Sequence, residues 1–351
     1  MFNIDNILRK NIKELVPYSS ARDEFKGEAS VFLDANENSY GSPLNRNYNR
    51  YPDPLQWKIK NRLAEIKGVP AKNIFLGNGS DEAIDILFRA FCNPGVDNVI
   101  TLPPTYGMYE VSANINDVEV RKVPLRPDYQ LNMEAIAEVI DEHTRIIFIC
   151  SPNNPTGNSI DRQDIETILA NFNGLVVIDE AYINYSRQKT FIQELTEYSN
   201  LIVLQTLSKA WGLAGLRIGM AFASEEIIEV FNKVKPPYNI NEASQELALE
   251  ALQNVDQVNN WIKETVEERG KLVAELAQLP SVLKIYPSDA NFILVKTTNP
   301  RGIYGHLVDQ GIIVRDRSKV ELCEGSLRIT IGTPEENKIL LNALKNFQES
   351  R

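Results

Sequence analysis

Four short polar segments contain the side chains with the greatest capacity for chemistry, and each directly follows a run of apolar residues. Their sequences are G-N-G-S-D at 77–81, S-P-N-N-P-T-G at 151–157, D-E-A-Y at 179–182 and Q-T-L-S-K at 205–209. Together they offer backbone N–H groups near a helix start, an amide, a carboxylate and a primary amine. Such a set could hold an anion and form an imine with a carbonyl compound.

The first of these segments is a candidate phosphate site. Free backbone N–H groups and the positive end of a helix dipole would hold a phosphate where a helix begins at Asp81. An ordinary glycine turn capped by Ser80 or Asp81 is the alternative. Position 82 is Glu instead of the third glycine of a dinucleotide fingerprint, and the Gly-Lys-Ser/Thr of a P-loop is missing. The segment therefore does not fit NAD or ATP, but it still allows a smaller phosphate compound.

Asp179 and Lys209 are the ionisable residues at two other predicted strand ends. Asp179 follows the apolar residues 175–178, where a carboxylate is costly unless it is paired. A cationic ring nitrogen could be that partner, and a helix cap or a salt bridge is the alternative. Lys209 could form an imine, and a solvated loop lysine is the alternative. A phosphate site, a buried carboxylate and a strand-end lysine are together what pyridoxal phosphate requires, because the carboxylate keeps the pyridine nitrogen protonated.

The elements that must position these residues alternate between strands and helices. A helix is indicated over 81–92, where apolar residues recur on one face. The alternation predicts an α/β fold with a mostly parallel sheet sandwiched by helices, in which ligands bind beyond the carboxyl ends of the strands. The predicted strands cover 31–33, 73–76, 99–102, 118–123, 145–150, 175–178, 201–204, 218–222, 282–286, 292–295, 312–314 and 327–331.

The length of 351 residues predicts two packed units rather than one small core. Residues 1–45 are polar and are predicted to form an N-terminal arm, and residues 46–240 a large cofactor-binding domain. After Pro236 and Pro237 a long helical pattern runs to Pro280, and further strands follow it. Residues 241–351 are therefore predicted to form a smaller α/β domain.

The overall composition argues against several kinds of function. The formal net charge is −10, so nucleic acid, which needs a basic footprint, is not an expected partner. The N-terminus lacks the apolar core of a signal peptide, and no apolar stretch approaches a membrane span, so we expect a cytoplasmic protein without a membrane partner. The chain has two histidines and three cysteines without a C-x-x-C pair, so no metal site is expected.

Three of the polar segments resemble those of the fold type I aminotransferases, the aspartate aminotransferase superfamily, in order and spacing across most of the chain. They are S-P-N-N-P-T-G at 151–157, D-E-A-Y at 179–182 and T-L-S-K-A-W-G-L-A-G-L-R-I-G at 206–219, a highly specific combination. Four further segments are similar to the subfamily that acts on histidinol phosphate. These are P-Y-S-S-A-R-D-E-F at 17–25, L-D-A-N-E-N at 33–38, R-Y-P-D-P at 50–54 and G-I-I-V-R-D at 311–316.

The resemblance implies a role for each matching residue. Lys209 corresponds to the lysine that binds pyridoxal 5'-phosphate as an imine and later moves the proton, and Asp179 corresponds to the partner of the ring nitrogen. Asn154 and Tyr182 correspond to donors to the ring phenolate oxygen. Tyr106 corresponds to the residue that stacks on the cofactor. The residues that correspond to the phosphate ligands are Ser80, Asp81, Thr206, Ser208 and Arg217. Tyr51 corresponds to a tyrosine that the second subunit contributes to that phosphate.

The resemblance also implies a substrate site and a reaction. Arg328 would grip the anionic group of the substrate, Arg315 would be a second anion contact, and Tyr18 would belong to a lid formed by the arm. An Arg315 that only pairs with Asp316 is the alternative. The implied reaction transfers an amino group between L-histidinol phosphate and 2-oxoglutarate in histidine biosynthesis, in a homodimer with shared active sites whose arms pack with the small domain and the partner. Transamination of aromatic amino acids and decarboxylation of threonine phosphate are alternatives on the same scaffold.

Overall fold

The computed structural model describes residues 2–18 and 30–347. In these ranges the strands are β1 (Ile74–Asn78), β2 (Asn98–Thr101), β3 (Glu119–Lys122), β4 (Thr144–Cys150), β5 (Leu175–Asp179), β6 (Leu201–Thr206), β7 (Ile218–Phe222), β8 (Val282–Ile285), β9 (Phe292–Thr297), β10 (Arg315–Asp316) and β11 (Ser326–Thr330). The α-helices are α1 (Lys10–Lys13), α2 (Trp57–Lys67), α3 (Ser80–Phe91), α4 (Met108–Ile115), α5 (Met133–Val139), α6 (Arg162–Asn171), α7 (Glu225–Val234), α8 (Glu242–Ala251), α9 (Val255–Leu276), α10 (Pro300–Asp309) and α11 (Pro334–Lys345). Short 3-10 helices lie at Ile4–Asn6, Ala71–Asn73, Ile183–Tyr185, Phe191–Glu194 and Ala214–Leu216.

The larger sheet has the strand order β1-β7-β6-β5-β4-β2-β3. Strands β2 to β6 pair in parallel, whereas β7 runs antiparallel to both of its neighbours, β1 and β6. Apolar cores cover both faces: in β4, Ile147 and Ile149 pack on one side, and Ile146 and Phe148 on the other. This alternation follows from the two-residue period of a strand. The predicted α/β fold with a mostly parallel sheet is confirmed.

The smaller sheet is built from the C-terminal part of the chain and has the order β10-β11-β9-β8, with every pair antiparallel. Its apolar core includes Leu276 of α9, Leu307 of α10 and Leu340 of α11. The domain boundary at residue 240 stays a prediction. Ala248 and Leu252, which follow that boundary, pack in the core of the larger sheet.

Two of the predicted strands are wrong. At 31–33 the structure has no strand, and Val31 and Leu33 are 69% and 82% exposed. The strand predicted at 312–314 is displaced toward the C-terminus, because only Arg315 and Asp316 pair with β11. Val314 packs into the small core ahead of the strand. Val314 is apolar because it is buried, and burial does not require backbone pairing. Among the described helices, none is long and apolar enough to cross a membrane.

Candidate active site

A cavity of about 620 Å³ opens at the edge of the larger sheet where the parallel strands end and β7 begins. It brings together the polar segments that follow β1, β4, β5 and β6, because the carboxyl ends of parallel strands meet at one edge. The predicted site residues that line it are Ser80, Asp81, Tyr106, Asn154, Asp179, Tyr182, Thr206, Ser208, Lys209, Arg217, Arg315 and Arg328. Tyr18 and Tyr51 are not among its lining residues.

The anion-binding end of the cavity is built by β1 and β7 together. The Gly79 N–H donates to the carbonyl oxygen of Arg217 over 2.8 Å, which joins the start of α3 to the residue before β7. Glycine is required at position 219, because a Cβ atom there would lie 2.1 Å from the Ser80 nitrogen. This close approach brings the N-terminus of α3 beside Arg217, whose guanidinium lies 3.6 Å from the Asp81 carboxylate.

Two hydroxyl groups complete this end. Arg217 Nη1 lies 3.5 Å from Ser208 Oγ, and Thr206 Oγ1 accepts the Ser208 N–H over 3.0 Å. Helix N–H groups, hydroxyl groups and a guanidinium are the donors that bind a phosphate in proteins. These residues therefore fit the phosphate of pyridoxal phosphate.

Asp179, the last residue of β5, is 3% exposed. Its Oδ2 accepts from the Tyr109 hydroxyl over 2.7 Å, and its Oδ1 accepts from the Ala181 N–H over 3.1 Å. Burial raises the pKa of Asp179, and the two hydrogen bonds offset part of that effect. It forms no ion pair with any residue that the structure describes. A buried carboxylate without a cation fits a ligand that supplies one, such as a protonated ring nitrogen.

Lys209 lies in the turn after β6, with its side chain open to the cavity. Its Nζ is 5.6 Å from the centre of the Tyr182 ring. Enclosure by the cavity walls and the nearby positive charge of Arg328 lower the pKa of Lys209. Within the described ranges Lys209 has no ion-pair partner. A lowered pKa increases the unprotonated share of the amine, and the unprotonated amine is the form that acts as a nucleophile.

Two aromatic rings border the same space. The Tyr106 hydroxyl donates to Asp81 Oδ1 over 3.0 Å. The Tyr182 ring is nearly buried and packs edge-on against Phe292 with ring centres 5.1 Å apart. The structure thus places the Tyr106 ring, ahead of α4, and the Tyr182 ring, after β5, along the same cavity as the Lys209 amine.

The opposite end of the cavity contains arginines from the smaller sheet. Arg315 of β10 lies directly across from Arg328 of β11 in the strand register. The Arg328 guanidinium donates to Asn154 Oδ1, which leaves the Asn154 amide nitrogen to donate into the cavity. Asp316 accepts from the N–H and the hydroxyl of Ser318, and the described residues contain no ion pair between Arg315 and Asp316. This end is therefore a second place for an anion.

Tyr51 and Tyr18 lie elsewhere in this chain. Tyr51 is half-exposed, stacks on Tyr238 with ring centres 4.5 Å apart, and lines a separate cavity of about 570 Å³. Tyr18 is 76% exposed. Neither reaches the catalytic cavity from within its own chain, so their roles stay predictions.

Sequence reasoning missed three residues of the cavity region. Tyr109, whose hydroxyl donates to Asp179, lies in the first turn of α4, three positions after Tyr106, which precedes that helix. Arg317 lines the cavity and lies two positions after Arg315, a spacing that places both on one side of a strand. Cys150 also lines it as the last residue of β4. The strand spacing could have identified Arg317 in the sequence once Arg315 had been chosen as a site residue. No comparable signal marked Tyr109 or Cys150.

The sequence and the structure of this chain were compared with those of known proteins. The family model described as aminotransferase class I and II matches residues 29–344. The chain is 58% identical over 348 residues to a protein of Parabacteroides distasonis named histidinol-phosphate aminotransferase, with 99% of this chain and 100% of that protein covered.

Two solved structures share the fold. The histidinol-phosphate aminotransferase from Clostridium acetobutylicum has a TM-score of 0.78 at 24% identity, covering 85% of this chain and 90% of that chain. The enzyme of that name from Sinorhizobium meliloti, in complex with pyridoxal-5'-phosphate, has a TM-score of 0.75 at 24% identity, covering 89% of each chain. The structural matches establish the fold type I architecture, and the family match extends over nearly the whole sequence. The chain therefore belongs to the aminotransferase class I and II family.

Proposed function

We propose that this chain is a cytoplasmic aminotransferase that uses pyridoxal 5'-phosphate to move an amino group between L-histidinol phosphate and 2-oxoglutarate in histidine biosynthesis. One observation supports this above the others: Asp179 and Lys209 face one cavity without an ion-pair partner among the described residues, between two groups of anion-binding side chains. A buried carboxylate and an amine of lowered pKa in one cavity are typical of a site whose ligand interacts with both.

In this proposal the residues at the β1–β7 end hold the cofactor. The α3 N-terminus, Thr206, Ser208 and Arg217 would bind its phosphate, and Asp179 would hold a proton at its ring nitrogen. Asn154 and Tyr182 would donate to the ring oxygen, and Tyr106 would lie against the ring. When bound, pyridoxal phosphate supplies an electron sink for the charge that develops on carbon after proton loss.

Lys209 is the residue that would move the proton. Its amine would hold the cofactor, and when free it would be placed to accept the proton of the substrate's amine-bearing carbon. The lowered pKa of Lys209 supports this role, because a larger share of the amine is unprotonated near neutral pH. The same group, once protonated, would be placed to return the proton.

Arg315 and Arg328 would recognise the substrate. Two guanidinium groups can hold a dianionic phosphate with paired hydrogen bonds, which favours a phosphorylated amino donor. Arg328 would also bind a carboxylate of the oxo acid that accepts the amino group. Both arginines lack a carboxylate partner among the described residues, which supports a role in binding anions from solution.

The test measures amino transfer from L-histidinol phosphate to 2-oxoglutarate with purified protein, with Lys209→Ala as the inactive control. We expect glutamate to form in proportion to consumed donor. Loss of carbon dioxide from threonine phosphate without an oxo acid would identify a decarboxylase instead, because decarboxylation needs no acceptor. A higher kcat/KM with phenylalanine or tyrosine would identify an aromatic aminotransferase.

We further propose that two copies of this chain form a dimer with shared active sites. Tyr51 belongs to a segment of the chain with many exposed apolar side chains, which monomeric proteins rarely leave uncovered when they form a patch. The exposed large apolar residues of this segment are Val31, Leu33, Tyr40, Leu44, Tyr51 and Trp57. A second copy seated here would cover these side chains and could bring Tyr51 to the cofactor phosphate of its partner.

A further inference from the structure

The wall of the cavity contains a tyrosine–carboxylate pair. The Tyr109 hydroxyl donates to Asp179 Oδ2 over 2.7 Å, and neither side chain is more than 3% exposed. The other carboxylate oxygen accepts the Ala181 N–H over 3.1 Å. Each oxygen therefore has a protein donor and keeps a further lone pair for a donor inside the cavity.

Aromatic packing fixes the position of the Tyr109 hydroxyl. The Tyr109 ring stacks on Phe148 with ring centres 4.7 Å apart and planes 13° apart, and Tyr106 meets it edge-on at 5.6 Å. Phe148 belongs to β4, which pairs with the strand that carries Asp179. A fully buried ring held between such neighbours has little room to turn away. The hydroxyl is thus held in place by both the helix and the sheet.

The pair also has a defined protonation state. Burial and the Asp179 charge raise the pKa of Tyr109 well above its usual range, so the hydroxyl stays protonated and can only donate to the carboxylate. Its hydrogen bond lowers the pKa of Asp179, against the larger raising effect of burial. The other ionisable groups that face Asp179 are Cys150 on β4, Asp81 on α3, Tyr106 ahead of α4, Tyr182 after β5 and Lys209 after β6.

A ring nitrogen facing Asp179 shares one proton with the carboxylate. The less basic the carboxylate is, the more completely that proton stays on the ring, and a protonated ring accepts electrons best. Building on the proposed function, we propose that Tyr109 is a positioning residue that keeps Asp179 ionised and oriented, so that the shared proton remains on the cofactor ring nitrogen.

The variant Tyr109→Phe tests this, because it removes the hydroxyl and keeps the stacked ring. In the cofactor-free protein, ¹³C NMR of the Asp179 carboxyl carbon should show titration at a higher pH than in wild type. With cofactor labelled by ¹⁵N in the ring, the ring signal of the variant should move toward that of neutral pyridine. The kcat should fall about tenfold or more with little change in KM, as expected for losing a hydrogen bond to a charged group.

Tyr185→Phe is the matched control, since Tyr185 is a nearly buried tyrosine of the turn after β5 that is not among the hydrogen-bond donors to Asp179. It should leave all of these readouts unchanged, and Tyr109→His, which restores a donor, should recover part of kcat. An unchanged Asp179 titration or an unchanged ring signal in Tyr109→Phe would overturn the proposal. The carboxyl titration is measured without cofactor, so its result does not depend on the proposed function. If the proposed function is wrong, the wild-type protein itself will bind no cofactor.

Discussion

At the scale of single residues, the cavity shifts two pKa values in opposite directions. Burial raises the pKa of Asp179, and enclosure with a nearby arginine lowers that of Lys209. Both groups are thereby moved toward their neutral forms in the protein alone. A ligand with a cationic ring nitrogen and a carbonyl carbon would suit both groups. Its ring nitrogen would pair with the ionised carboxylate, and its carbonyl carbon would bond to the neutral amine.

The raised pKa of Asp179 gives a prediction for Asp179→Asn. The unfolded chain releases this proton at a lower pH than the folded chain, so wild type without cofactor loses stability as pH rises through the raised pKa of Asp179. Asparagine has no charge to bury, so the cofactor-free variant should gain thermal stability relative to wild type between about pH 4 and 8. Its turnover should fall by at least about a hundredfold, or 2.7 kcal/mol, when cofactor is supplied.

Melting curves across this pH range provide the measurement. The exposed Asp309→Asn is the control, and it should follow wild type at each pH. A variant whose turnover stays within about tenfold of wild type would mean that the Asp179 carboxylate has another role.

The residues that the sequence could identify are those at the ends of buried strands. Asp179 and Lys209 were predictable because each follows an apolar run, and a charged group in that position needs a reason. Tyr109 was not predictable in this way. It looks like one more apolar contact of a helix, and its hydroxyl acquires a role only from the way α4 lies against β4 and β5.

At the scale of elements, the reversed strand β7 closes the end of the cavity that is proposed to hold the cofactor phosphate. Gly219→Ala should disturb it, because the added Cβ would lie 2.1 Å from the Ser80 nitrogen and would force backbone atoms apart. We expect cofactor affinity to fall about tenfold or more and the melting temperature to drop, measured by cofactor titration and thermal unfolding.

Gly270→Ala is the matched control for this change. Gly270 lies within α9, and a Cβ atom there would meet nothing within 4 Å. Alanine favours a helix over glycine by about 0.5–1 kcal/mol, so this variant should be as stable as wild type or more stable, with unchanged cofactor affinity. Equal cofactor affinities for the two variants would show that the β1–β7 contact does not shape the phosphate site.

The pairing of β10 with β11 gives a prediction about specificity. Arg315 lies opposite Arg328, so Arg315→Ala removes one of two adjacent guanidinium groups while leaving the cofactor residues in place. For wild type we expect histidinol phosphate to exceed histidinol in kcat/KM by about a hundredfold or more, and the variant should reduce that ratio at least about tenfold. Cofactor affinity should not change.

Lys319→Ala is the control for this experiment, because Lys319 is an exposed cation of the same segment that does not line the cavity. The ratio of kcat/KM for histidinol phosphate to that for histidinol should be the same in Lys319→Ala as in wild type. A ratio that is insensitive to Arg315→Ala would assign the phosphate preference to other groups, among which Arg317 is the nearest candidate.

The limits of prediction at this scale have a physical cause. Parallel and antiparallel strands that are buried on both faces have the same apolar pattern, so Ile218–Phe222 could be identified as a strand but not as one that runs in reverse. In the same way, Ile312 and Val314 are apolar because they pack on the small core, and the backbone pairing begins only at Arg315.

At the scale of the whole molecule, the proposed dimer predicts how activity divides between sites. If Tyr51 completes the site of the other copy, a mixed dimer of Tyr51→Phe and Lys209→Ala subunits contains one site with both residues intact and one site with neither. Such dimers, formed by co-expression with two affinity tags, should have about half the activity of wild type, with one borohydride-reducible cofactor per dimer.

The two homodimeric variants are the controls, and both should be clearly impaired. Two equally impaired sites in the mixed dimer would mean that Tyr51 acts within its own chain. A fully active monomer in analytical ultracentrifugation would contradict the dimer altogether. The exposed position of Tyr51, outside the cavity of its own chain, is the reason to expect complementation.

The position of β7 in the sheet also matters while the chain is being synthesised. In the described sheet, β1 has β7 as its one neighbour, although Gly79 and Ile218 are separated by about 140 residues. A nascent chain whose β7 has not yet emerged therefore has β1 without a strand partner and lacks the strand that brings Arg217 to Gly79 at the proposed phosphate site. Cofactor capture should consequently begin only after β7 has left the ribosome, and cofactor fluorescence on stalled chains of increasing length would locate that point.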